Sequence, residues 1–187
     1  MNLFIDTTNW KLIYLLEKDN QIIDSLIILN NKKLSDIAIL KLEEFLENNN
    51  LTLNDLKAFY LTIGPGSYTG VRVGLTIVKT LKVLNNNFDV FIINSLLYQA
   101  GLNKIISCID ARSNKYYVSV YNNAKQLLDI SLIDQDQINN LINQYQDYKL
   151  INDYQFDYLK HYLDLKKHFI KIDDDNKLNP LYIKSFI

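Results

Sequence analysis

The chain has 187 residues, 48% of them hydrophobic, and a net charge of −1 from 20 basic and 21 acidic side chains. That length and apolar content suit one sizeable domain or two small lobes sharing a core, and a charge so near zero gives no electrostatic footprint for holding a polyanion unaided. Cys108, the single cysteine, excludes an intrachain disulfide, and no run of about 18 apolar residues is present to span a membrane.

From Met1 and Asn2 the sequence passes directly into strand-like residues, so neither a signal peptide nor a membrane span is expected and the location is expected to be cytoplasmic. The first thirty residues predict a three-strand meander over 2–6, 11–18 and 21–29, with Asp19-Asn20 as a turn. Ala38, Leu42, Phe45 and Leu46 recur at helical spacing, with Glu43, Glu44 and Glu47 on other sides, and predict a helix over 35–48. A short strand over 58–62, a glycine-rich turn, a helix from about Ser67 to Leu84 and a strand over 89–93 follow. Three strands, helix, strand, helix and strand make one ribonuclease-H-like lobe. A second copy begins near Lys104: Ile5-Asp6 and Ile109-Asp110 each end a strand and lead through a polar turn into a β-rich run, 11–18 and 115–122. A third strand from about Lys125 and helices over 134–145 and 154–163 extend the copy, so internal duplication is the economical account. Two unrelated β-hairpins in an α+β domain are the alternative. The expected lobes are residues 1–100 and a shortened 101–187.

The stretch GPGSYTGVRVG, residues 64–74, holds four of the five glycines and one of the two prolines. Pro65 fixes φ, Gly64 and Gly66 open backbone angles closed to other residues, and Ser67 is placed to cap the following helix. Gly70 and Gly74 are four apart, share a helix face, and would let another helix or a strand approach closely. A phosphate cradle at a helix N-terminus is the obvious alternative. The residues fail its tests, because Gly70 is followed by Val71 and Arg72 instead of Lys and Ser or Thr, and Thr69 stands where a dinucleotide turn needs glycine.

Cys108 lies in the apolar run 105–109 and reads as a small buried hydrophobe. His161 and His168 are seven apart in a lysine-rich stretch, the wrong spacing for two ligands on adjacent helical turns, and read as surface histidines. The helix after the glycine turn is apolar nearly all round, leaving Arg72, Lys79 and Lys82 as a charged strip, and Leu34, Ile37, Ala38, Ile39 and Leu40 crowd the start of the first helix. Such helices are either fully buried within the chain or offer spare apolar faces to a partner. The candidate interface residues are Ile37, Ile39, Gly70, Val73, Gly74 and Ile77.

The string Gly64, Pro65, Gly66, Ser67, Tyr68, Thr69, Gly70, Arg72, Gly74 resembles the signature of the bacterial TsaB (YeaZ) family. Further similarity runs the length of the chain, in Phe4-Ile5-Asp6-Thr7-Thr8, in Ile109 followed by Asp110, Ala111 and Arg112, and in Pro180-Leu181-Tyr182-Ile183-Lys184. The chain departs from the family where Leu34 replaces a histidine often found at the first helix, where Lys184 replaces the usual arginine, and in its shorter second half. The resemblance implies an actin-like ATPase fold, that of the Hsp70 and sugar-kinase superfamily, with two ribonuclease-H-like lobes. It also implies a degenerate nucleotide site: Asp6 is followed by Thr7-Thr8-Asn9 where active members have a glycine, and Gly101 is the only glycine after Gly74. For function it implies a non-catalytic accessory protein without a cofactor, which binds a TsaD-like transferase modifying tRNA to threonylcarbamoyladenosine. A TsaE-like ATPase would act through the complex, tRNA would be touched indirectly, and the chain would form a homodimer when alone. A phosphotransferase or a glycoprotease-like peptidase of the same superfamily is the alternative, against which stand the missing phosphate hairpin and the missing histidine pair.

Overall fold

A computed structural model describes residues 1–31, 33–85 and 87–183, so Lys184 of the last family string lies outside the described residues. The chain forms two compact units. One holds Met1–Ile63, Ser67–Ile93 and Phe169–Pro180; the other holds Gly64–Gly66, Asn94–His168 and the described residues from Leu181 on.

In the first unit, β1 (Asn2–Asp6), β2 (Leu12–Lys18) and β3 (Gln21–Ile28) form the expected antiparallel meander. Its tight turn is Asp19-Asn20, both at positive φ (52° and 62°), the geometry that matches the twist of a two-residue hairpin. Helix α1 (Leu34–Asn48) then crosses over, so that β4 (Ala58–Thr62) runs parallel to β1. A second crossover through α2 (Tyr68–Leu84) lays β5 (Asp89–Ile93) parallel to β4. The described sheet runs in the order β10-β5-β4-β1-β2-β3, where β10 (Ile170–Lys171) is a late two-residue strand antiparallel to β5. Leu3, Ile5, Leu12, Tyr14, Leu16, Phe59 and Leu61 pack against Ala38, Leu42 and Phe45 of α1 and Val71, Leu75 and Val78 of α2. At roughly 2 kcal/mol per fully buried large side chain, this layer is the main stabilising term of the unit. Tyr14 belongs in so apolar a place because its hydroxyl donates to the Ala38 carbonyl at 2.7 Å; burial pushes its pKa up.

The second unit repeats the plan. Strands β6 (Ile105–Arg112), β7 (Lys115–Asn122) and β8 (Lys125–Asp134) form a meander, α4 (Gln135–Gln144) crosses over, and β9 (Lys149–Asn152) runs parallel to β6. The order β8-β7-β6-β9 matches β3-β2-β1-β4, and Asn123-Ala124 turns at positive φ (49° and 62°) where Asp19-Asn20 does. Among the described residues this sheet has no strand beyond β9.

Two short helices complete the second unit: α3 (Ser95–Ala100), which is too brief to show a period in the sequence, and α5 (Tyr158–Leu165). Buried Gln99 ties α3 to the sheet. Its amide nitrogen donates to Ser107 Oγ, Cys108 O and Ile151 O at 2.9–3.0 Å, and its oxygen accepts the Tyr154 N–H at 2.5 Å. His161 overturns the surface reading. It is 7% exposed, with its ring stacked on Phe156 at 4.7 Å and Nδ1 3.0 Å from the Tyr98 carbonyl oxygen, because its helix turns that face onto α3. His168 is half-buried.

Candidate partner interface and the glycine-rich signature

The signature opens with Gly64 at φ 94°, an angle that favours glycine, whose carbonyl accepts the Ser95 N–H at 2.8 Å. Pro65 is buried and Gly66 half-buried. Ser67 is the N-cap of α2 as expected, but its hydroxyl accepts the Gly70 N–H only at 3.4 Å, and the first turn of α2 carries no acidic side chain. Tyr68 is 60% exposed with the Arg72 guanidinium 3.7 Å above its ring, and Thr69 is exposed beside it.

Gly70 and Gly74 are buried and face their own chain, where the turn after β1 packs into the gap they leave. A Cβ at Gly70 would stand 2.3 Å from the Thr7 carbonyl oxygen, and one at Gly74 would stand 2.8 Å from Thr7 Oγ1. The close approach is therefore made by the Thr7 turn, just past the end of β1, and not by a helix or a strand as expected. Thr7 Oγ1 donates to Gly70 O at 2.6 Å and accepts the Gly74 N–H at 3.0 Å, and Asn9 Oδ1 accepts the Ser67 N–H at 3.1 Å. On the other side of the turn, Asp6 Oδ1 accepts the Thr8 N–H, the Thr8 hydroxyl and the Thr62 hydroxyl at 2.7–2.8 Å. The sequence contained a signal for Thr7 and Asn9 in the shared glycine face; what it lacked was the identity of the element that fills it.

The other candidate interface residues divide by burial. Ile77 joins the core at 4% exposure, Ile37 and Val73 are half-buried against it, and Ile39 is 67% exposed. Leu40 at 53% stands beside Ile39, and Val83 and Leu84 at the end of α2 are 86% and 73% exposed. Asp36, Glu43 and Glu47 are exposed on α1, Arg72 and Lys79 on α2, so the outer surfaces of the two packed helices carry opposite charge around apolar residues.

In the second unit Asp110 and Arg112 are exposed, and Asp110 Oδ1 accepts the Arg112 N–H at 2.7 Å. This is the same bond, to the amide two residues on, that Asp6 makes to Thr8, so both repeats close the turn after their first strand with an aspartate. Burial and the charge of Asp153 push the Cys108 thiol up to about 12, which removes its nucleophilic form near neutrality. Among the described residues no three His, Cys, Asp or Glu side chains gather in a metal-binding group.

Comparison with known proteins gives the family and the fold. A family model described as TsaD, tRNA N6-adenosine threonylcarbamoyltransferase, matches residues 29–172. Protein MG208 of Mycoplasma genitalium is 30% identical over 188 residues, covering 97% of this chain and 94% of that protein. The tRNA threonylcarbamoyladenosine biosynthesis protein TsaB of Bacillus subtilis is 32% identical over 139 residues, which cover 72% of this chain but 60% of the TsaB. YeaZ from Pseudomonas aeruginosa superposes over 97% of this chain and 99% of its own with a TM-score of 0.74 at 15% identity, which establishes the shared fold, the actin-like one.

Proposed function

Because the chain belongs to the TsaB (YeaZ) family, we propose that it is a non-catalytic accessory subunit in the threonylcarbamoyladenosine modification of tRNA, docking a TsaD-like transferase through the outer faces of α1 and α2. The observation that carries this reading is the set of large apolar side chains left open on those helices, Ile39, Leu40, Val83 and Leu84, amid acids on one helix and bases on the other. Single exposed apolar residues are ordinary, whereas four large ones on two helices that pack together, amid charge, suit a partner. The same opposed charges allow two copies to pair about a twofold axis, each α1 meeting the other's α2, which supports a homodimer when the transferase is absent.

A net charge of −1 neutralises few phosphates, so tRNA is engaged through the partner, and a TsaE-like ATPase acts through the complex. The work takes place in the cytoplasm; no helix of the described residues is long and apolar enough to cross a membrane. The test is co-purification with the cognate TsaD-like protein together with mass spectrometry of tRNA nucleosides after depletion of this chain. Threonylcarbamoyladenosine should fall on depletion, and Ile39→Lys should release the partner while the chain stays folded, since an unpaired charge buried at an interface costs several kcal/mol, roughly the difference between micromolar and millimolar binding. Unchanged modification, or a partner fully active alone, rejects the reading.

A further inference from the structure

Helix α2 is poorly equipped to start itself. Its cap bond is long, its first turn lacks an acid, and two of its first seven residues are glycines, the poorest helix formers after proline. Yet this end of the helix presents exposed Tyr68, Thr69 and Arg72 and half-buried Val73. What holds it is the turn after β1. The Gly70 carbonyl and Gly74 amide that the Thr7 hydroxyl bonds are four residues apart, the spacing of a helical hydrogen bond, and the Asn9 side chain grips the backbone N–H of the cap residue Ser67. The turn is itself fixed, by the bonds of Thr8 and Thr62 to Asp6 and by Asn9 and Trp10 at φ 51° and 58°.

We propose that Thr7 and Asn9 are positioning residues for the partner-binding face: they set where the first turns of α2 lie, and so fix the presentation of Tyr68, Thr69, Arg72 and Val73 to the transferase. This rests on the docking reading above and deepens it by naming residues that act on the interface from behind. Thr7→Val is the informative change. It keeps the side chain's shape, and the Gly70 carbonyl and Gly74 amide it releases can satisfy each other within the helix, so the fold survives while the tie between turn and helix is cut.

The experiment measures affinity of the full chain for the cognate TsaD-like protein, below the unfolding range of every variant, alongside amide hydrogen exchange over residues 70–74. Thr7→Val should weaken binding about tenfold and speed exchange over that segment, and Thr7→Ser, which restores the hydroxyl, should return both to wild type. Should Thr7→Val fail to fold, Asn9→Ala takes its place, with weaker binding and faster exchange at Ser67 expected. Wild-type affinity in the folded variant used, or equal impairment of Thr7→Val and Thr7→Ser, overturns the proposal. Ile39→Lys separates the two readings: if it binds normally, the docking face is wrong; if it is impaired while Thr7→Val binds as wild type, the face stands and the positioning role falls.

Discussion

Gly101 leaves room for His161: a Cβ on Gly101 would lie 2.8 Å from Cε1 and 2.9 Å from Nε2 of the imidazole. The ring has nowhere to retreat, since it is stacked on Phe156 and bonded to the Tyr98 carbonyl. Gly101 also sits at φ 62°, as the residue ending α3. Gly101→Ala should therefore destabilise the protein by about 2 kcal/mol or more through backbone strain and overlap together, as read from the shift in urea midpoint.

The same histidine gives stability a pH dependence. Burial is the largest influence and holds its pKa below the ordinary value, partly opposed by the bond to Tyr98 and by Asp164 and Asp157. In the unfolded chain the ring takes up its proton near pH 6.5, before the folded ring does, so its contribution is complete above that pH and is lost as the pH falls towards the lowered folded value. Urea denaturation should show the loss below about pH 6.5 with a slope of at most about 1.4 kcal/mol per pH unit from this group. In His161→Phe that part of the pH dependence should vanish, whatever the variant's absolute stability.

Alanine at the two signature glycines should have unequal effects. At Gly70 the new methyl meets the Thr7 backbone, which has little freedom, and Gly70→Ala should cost about 3 kcal/mol even after the gain of roughly 1 kcal/mol in helix propensity. At Gly74 it meets the Thr7 hydroxyl, so Gly74→Ala should cost less, and Thr7→Ala should suppress part of that cost in a double-mutant cycle. Equal effects at both positions in thermal denaturation would show that the Thr7 turn moves as a unit.

Cys108 should resist alkylation by maleimide in the native protein and react once the chain is denatured, because its thiol is fully buried and its pKa is pushed up to about 12. Labelling of the native protein at the denatured rate would contradict the packing of β6.

Long, periodic elements were legible in the sequence. The meander of β1, β2 and β3, the helices α1 and α2 and the repeat at β6 all carry apolar residues in enough number to reveal a period. Helix α3 with six residues, β9 with four and β10 with two do not, and their places are set by partners far away in sequence. Helix α5 begins at Tyr158, later than its apolar run suggests, because Asp157 caps it by accepting the Lys160 N–H at 3.0 Å. For the candidate interface the limit was directional. Neither α2, apolar on nearly every side, nor the crowded start of α1 declares which side its sheet will take, so Ile77 on α2 and Ile39 on α1 looked equivalent until the packing separated them. Of the site, the capping by Ser67 and the shared glycine face could be read in advance, whereas Thr7 and Asn9 needed the fold.

Strand β10 carries a consequence for the order of events on the ribosome. Phe169 meets Phe4 and Tyr60 edge-on, at 6.2 and 5.1 Å between ring centres, while Ile172 donates to Val90 O and Leu178 lies fully buried in the same core as Leu3 and Phe59. Strands made early thus wait for residues made much later before their layer is closed. During translation the nascent chain must carry Phe4, Tyr60 and Val90 without these neighbours until synthesis has passed Leu178. A stop codon shortly after the second repeat begins would yield a first lobe with an open seam, an easy substrate for proteases and chaperones.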